Sequence, residues 1–242
     1  LSLTLSLCVC ANAGSNGRRT TRVSKSLSSS PLHPFSFHLN SLSRSVRLCS
    51  NGSVHFLASP SGVMGFEELS ESNRNQLFYE LDALQDDYDL ILIDHSSGVH
   101  WGVIQFAAAA HQHVIVTTAE PTSYMDAYAI MKILSQRFKV RNFQLIVTMS
   151  QNLTETQKII ERFVDITQSH LDVKVTEVGH FLYEPKLADA LRQQKPFAKL
   201  YPEIIFTKNL TKVCKILEDT PAEKGSGLGF FYSENINLTA AR

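Results

Sequence analysis

From residue 54 to about residue 217 the chain alternates short apolar runs with longer amphipathic stretches, and this alternation limits the fold more than any other feature. The apolar runs lie at 54–57, 90–93, 114–117, 143–148 and 173–178. Between them, helical spacing predicts helices at 67–87, 101–110, 123–138 and 154–169, then at 186–193 and about 203–217. In the first of these, Leu77, Leu81 and Leu84 share one face while acids occupy the other. The run Leu90-Ile91-Leu92-Ile93 is apolar at every position, which predicts a central parallel strand buried on both faces. Strands separated by helices need right-handed crossovers, so the predicted fold is α/β, with a mostly parallel sheet and helices on both faces. Ligands of such sheets bind outside the carboxyl ends of the strands, which is where informative residues are sought.

Composition divides the chain. Residues 1–66 hold six Lys or Arg and no acid, whereas the other 17 bases and all 23 acids follow, giving the remainder a net charge of −6. The whole chain is neutral, which gives no reason to expect nucleic-acid binding. Cys8, Cys10 and Cys49 lie in the acid-free segment, and Cys214 stands alone in the remainder, as in a reduced, cytoplasmic domain without disulfides. The expected organisation is a leader at 1–52, a domain at 53–219 and a flexible tail at 220–242. Three readings of the leader stay open: mistranslated or disordered sequence, a targeting segment, or structure. The apolar run at 1–10 followed by Ala11-Asn12-Ala13 resembles a secretory signal, and the Ser-rich, Arg-bearing remainder resembles a transit peptide. In the tail, Gly225-Ser226-Gly227-Leu228-Gly229 lacks the basic face of a membrane-binding helix.

Three strand ends carry candidate chemistry. Asp94 ends one apolar run and opens Asp94-His95-Ser96-Ser97-Gly98, a carboxylate followed by a small-residue turn. That pattern suits a hard-cation ligand beside a phosphate, and equally a plain helix cap. Glu120-Pro121-Thr122-Ser123 follows the next run, with Thr122 or Ser123 able to cap a helix whose first turn holds Asp126. Thr148-Met149-Ser150-Gln151-Asn152 follows the third, as a base-reading loop or a polar connection. His95, His100, His111 and His113 crowd in sequence, and His111-Gln112-His113 could suggest a metal ion, but a metal site is not expected there.

Together these residues resemble the MinD/ParA-like P-loop ATPases, and within them the flagellar-number regulators of the FlhG type. The resemblance rests on Leu90-Ile91-Leu92-Ile93-Asp94 with Gly98, and on Glu120-Pro121-Thr122-Ser123 with Asp126-Ala127-Tyr128. Tyr183-Glu184-Pro185 and the run from Ala190 to Phe197 extend it, so that it covers about two-thirds of the chain. It implies ATP and Mg²⁺ as cofactors, with Asp94 as the catalytic Walker B carboxylate that holds Mg²⁺ through water. It further implies that Ser96, Ser97 and Gly98 sense the γ-phosphate. Glu120 would lie near a homodimer interface, and Thr148 with Leu182, Tyr183 and Glu184 would border adenine. The implied protein is a cytoplasmic, ATP-dependent dimerising switch that sets flagellar number or placement, with flagellar assembly or regulatory proteins as partners. Peripheral contact with the inner membrane belongs to the same implication.

Three departures qualify it. A Lys-Gly-Gly-x-Gly-Lys-Thr loop and the first switch are absent from these 242 residues, Ser96 replaces a glycine, and Thr148 replaces an asparagine. A phosphate loop supplies the N–H cradle and lysines for the phosphates, so a chain without one is expected not to hydrolyse ATP. The alternative is a non-catalytic interaction module that retains the dimer or partner surface. A further expectation concerns the sheet. With no strand foreseen at 1–52 except a short candidate at 46–49, Leu90, Ile91, Leu92 and Ile93 are expected to form an unpaired, aggregation-prone edge.

Overall fold

The computed structural model describes residues 5–11, 47–51, 54–58, 72, 90–95 and 98–221. The predicted helix at 67–87 apart from residue 72, the Ala11-Asn12-Ala13 region beyond Ala11, and the glycine-rich tail lie outside the described residues. The chain divides into two compact units, Asn12–Asp89 and a second formed by Leu1–Ala11 with Leu90–Arg242. In the first unit, strands β2 (Arg47–Asn51) and β3 (Val54–Ala58) pair antiparallel as a two-stranded sheet. The apolar run at 54–57, expected to begin the main alternation, is therefore a strand of a separate small sheet.

The second unit contains a five-stranded sheet in the order β4-β1-β5-β6-β7. Its strands are β1 (Leu5–Ala11), β4 (Leu90–His95), β5 (Gln112–Thr117), β6 (Asn142–Ser150) and β7 (Lys174–Leu182). β5, β6 and β7 are parallel, as the strand–helix alternation predicts. β1 runs antiparallel to both of its neighbours, β4 and β5. Because it lies between them, β4 points the same way as β5, and four strands finish at one end of the sheet.

Two expectations are corrected here. Leu90-Ile91-Leu92-Ile93 is not a central parallel strand: among the described strands β4 is the sheet edge, with Leu90 42% and Leu92 57% exposed. A continuous apolar run specifies a strand but not which strands flank it. Nor is this run left without a partner, because Leu5–Ala11 pairs along it from Ser6 opposite His95 to Ala11 opposite Leu90. The signal in Leu5-Ser6-Leu7-Cys8-Val9-Cys10 is period-two alternation, which resembles an export signal when only its apolarity is weighed. The short candidate at 46–49 falls largely within β2.

Helices cover both faces of β5–β7. On one side lie α1 (Trp101–Ala109), α2 (Pro121–Phe138) and α3 (Leu153–Leu171). Ile115, Phe143, Leu145 and Val147 face them, together with Met131, Leu134 and Phe163 from the helices, all at most 2% exposed. Burying each such side chain contributes about 1.5–3 kcal/mol, so this layer is a large contributor to the stability of the unit. On the other side lies α6 (Ile205–Asp219), preceded by two short helices, α4 (Lys186–Arg192) and α5 (Phe197–Leu200). Val213, Phe206 and Leu217 of α6 pack against Val114, Ile146, Val178 and Phe181. Gln112, at the start of β5, ties down the end of α6 by donating to the carbonyl oxygens of Leu217 and Thr220 at 3.1 and 3.0 Å. These belong to the last turn, where helix carbonyls lack partners within the helix.

Candidate functional site

The carboxyl ends of β4 to β7 form one rim. Leu7 pairs with Asp94 on one side and Val114 on the other, so Asp94 is level with Val114, three residues short of Thr117. That is a setback of roughly 10 Å along the strand direction. Asp94 is exposed and free to offer oxygen to solvent. Gly98 adopts φ +104°, a backbone conformation that disfavours any side chain, and an added Cβ would press on the His100 ring at 3.3 Å. Ser96 and Ser97 lie outside the described residues.

His95 turns inward beside Asp94. It is 5% exposed, and its Nε2 finds no hydrogen-bond partner among the described residues. Burial first, and the nearby His113 second, push its pKa down from 6.5 to about 4. The unfolded chain therefore binds more protons than the folded one between these values. This contribution to stability is complete above pH 6.5 and is lost as pH falls towards 4. At 1.36 kcal/mol per pKa unit it amounts to about 3 kcal/mol. Denaturant titrations from pH 7 to 4 should show a steep loss that is shallower in His95→Leu. Parallel pH profiles for the two proteins would remove His95 as its source.

The β5–α2 connection uses its hydroxyl groups internally. Ser123 is fully buried; its Oγ accepts from the Thr118 amide at 3.0 Å and lies 3.0 Å from Thr117 Oγ1. Thr118 Oγ1 accepts from the Glu120 amide at 3.3 Å. The helix starts at Pro121, earlier than its sequence suggests, so Asp126 falls outside the first turn and Ser123 braces the turn instead of capping the helix. Proline at the first helical position loses no hydrogen bond and has its φ preset. Glu120 stays exposed at the rim. Ser123→Ala should cost about 1–3 kcal/mol in urea unfolding, since a buried amide loses its acceptor. A change below 0.5 kcal/mol would contradict this account.

The ends of β6 and β7 are brought together. Thr148 is half-buried opposite Phe181. Met149 bulges from the ladder at φ +61° and is 43% exposed, an uncommon strained conformation for a residue other than glycine. Ser150 Oγ lies 2.6 Å from Thr156 Oγ1, and Asn152 caps α3 by accepting from the Glu155 amide at 2.9 Å. The Glu155 carboxylate in turn accepts from the amide of Gln151, the residue before the cap, a variant of the capping box. The Tyr183 amide donates to the Ser150 carbonyl at 2.9 Å, joining the two strand ends. Leu182 is 37% and Tyr183 57% exposed, while Glu184 accepts from the Lys186 amide at 3.1 Å. Thr148 and the segment 182–184 thus share one part of the rim. Asp94 lies three strand positions from Thr148, roughly 14 Å across the sheet.

The histidine-rich stretch serves packing. His113 Nε2 meets the Ala107 carbonyl oxygen at 2.9 Å, and its ring lies against Phe143. No group of three metal-ligating side chains occurs among the described residues. The structural residue missed in the sequence is Gln112, whose only signal is a polar side chain between two histidines at the mouth of an apolar strand.

ATP and Mg²⁺, implied by the resemblance, fit the rim only in part. Asp94 offers a hard oxygen, and Thr148 with Leu182 and Tyr183 offers a half-apolar edge. The strand beside β4 does not suit a phosphate cradle. A phosphate loop leaves the carboxyl end of its strand at the rim, whereas β1 enters at the rim with Leu5 and leaves at the opposite end with Ala11.

No protein-family model matches the chain. It is similar to the antiactivator FleN of Pseudomonas aeruginosa, 26% identical over 159 residues, covering 66% of this chain and 57% of FleN. It is also similar to the flagellum site-determining protein YlxH of Helicobacter pylori, 26% identical over 141 residues, covering 58% of this chain and 47% of YlxH. The chain thus spans about half the length of the curated relatives it matches. No helix among the described residues is long and apolar enough to cross a membrane.

Proposed function

Because the chain is related to the FlhG-type regulators among the MinD/ParA-like ATPases, we propose that it regulates flagellar number or placement by binding partner proteins, without hydrolysing ATP itself. The relationship to FleN and YlxH supports the flagellar reading. The observation that carries the rest is the direction of β1, which takes the chain away from the rim where a phosphate loop would have to begin. Asp94 then remains an exposed carboxylate without a phosphate cradle opposite it among the described residues. Glu120 contributes to a surface for a second copy or a flagellar regulatory protein, and the site of action is cytoplasmic.

The decisive experiment is phosphate release from Mg-ATP by the full chain. Release at the rate of a protein-free blank is expected. Release above blank that disappears in Asp94→Ala would overturn the proposal and favour an ATP-driven dimerising switch.

A further inference from the structure

The turn that carries Tyr183 and Glu184 is held from two sides. On the sheet side, the Tyr183 amide donates to the Ser150 carbonyl. Within the turn, the amides of Lys186 and Leu187 donate to the carboxylate and carbonyl oxygens of Glu184, each at 3.1 Å. The side chain of the same lysine then reaches over Tyr201, with Nζ 5.2 Å from the ring centroid. Tyr201 is itself anchored. Its carbonyl accepts from Thr207 Oγ1 at 2.7 Å, and its ring lies 5.3 Å from that of Phe197. Phe197 meets Phe206 at 5.2 Å, and Phe206 meets Phe181 at 4.7 Å. The contacts form a closed circuit that leaves β7 at Phe181, crosses α6 and the end of α5, and returns through Lys186 to the turn after Leu182.

We propose that Lys186, seated on Tyr201, is a positioning residue for Leu182, Tyr183 and Glu184, holding the β7 edge of the rim in one conformation. The inference rests on the proposed function only in taking this rim as the working face. An ammonium within about 6 Å of an aromatic face is attracted by the ring quadrupole. The seven-residue helix α4 is too short to be stable alone, so its first turn depends on such outside contacts. The attraction needs the ring and the cation, not the phenol hydroxyl or the ammonium shape.

Amide hydrogen exchange on the full chain tests the proposal. Tyr201→Leu and Lys186→Gln should each speed exchange at residues 183–188 about two- to five-fold, the range expected of an exposed cation–ring contact. Tyr201→Phe and Lys186→Arg should leave it unchanged, and the double variant Lys186→Gln/Tyr201→Leu should add nothing to either single change. Unchanged exchange in both disruptive variants would overturn the proposal. An increase spread evenly over β5, β6 and β7 would do the same, since it would report lost global stability instead of lost position. Mg-ATP turnover, measured on the same samples, bears on the functional reading alone: turnover refutes that reading and leaves exchange to decide the role of Lys186.

Discussion

Deleting residues 1–11 should turn a cooperatively folding protein into an aggregating one. β1 pairs over six residues with β4 and over five with β5, so its removal opens both edges at once. At a net 0.5–1.5 kcal/mol per hydrogen bond, the lost ladders alone are worth on the order of 5–10 kcal/mol. That rivals the 5–15 kcal/mol that stabilises a typical domain. Leu90 and Leu92, already 42% and 57% exposed, would sit on a strand with no described partner and unpaired backbone groups, a template for intermolecular pairing. Light scattering and thermal unfolding of the full chain and the shortened one provide the comparison. A shortened protein that stays monodisperse and unfolds within a few degrees of the full chain would show that β1 does not hold the sheet together.

Gly179→Ala should be among the most damaging single substitutions away from the rim. Gly179 lies in β7 next to the bulge at Val178, where the register against β6 shifts by one residue. A Cβ there would overlap the Val213 side chain of α6, which is 3% exposed within the core cluster. Valine is branched at Cβ and cannot swing aside as a long side chain would. Overpacking of this kind costs about 1–3 kcal/mol, and in a protein of this size each kcal/mol lowers Tm by roughly 2–4 °C. Val213→Ala makes room, so the double variant should be more stable than the two single losses predict. Full additivity of the two changes, or no loss in Gly179→Ala, would rule out the close approach as the reason for glycine.

The strand ends that build the rim were partly legible in the sequence, and their geometry was not. Glu120 lies just beyond β5 and Thr148 at the end of the run foreseen at 143–148, ends that strand–helix alternation locates. β7, by contrast, continues to Leu182, past the run foreseen at 173–178, so Leu182, Tyr183 and Glu184 follow from the resemblance alone. The sequence cannot show that Ser123 bonds Thr117 and Thr118, or that Asn152 takes the Glu155 amide while the Glu155 carboxylate takes the Gln151 amide. Either set of side chains could have faced a ligand, and only hydrogen-bond distances decide.

Sequence alone specifies the elements from residue 101 onward, the four-residue α5 excepted, and the parallel pairing of β5 to β7. Amphipathic period and strand-length apolar runs are local properties, and crossover helices leave parallel pairing as the way to bury them. The tertiary structure alone decided which strand lies beside Leu90-Ile91-Leu92-Ile93, and in which direction. An edge of unpaired N–H and C=O groups accepts any strand of suitable alternation, whatever its distance in sequence and in either orientation, so no local pattern in Leu5–Ala11 encodes that it closes β4 against β5.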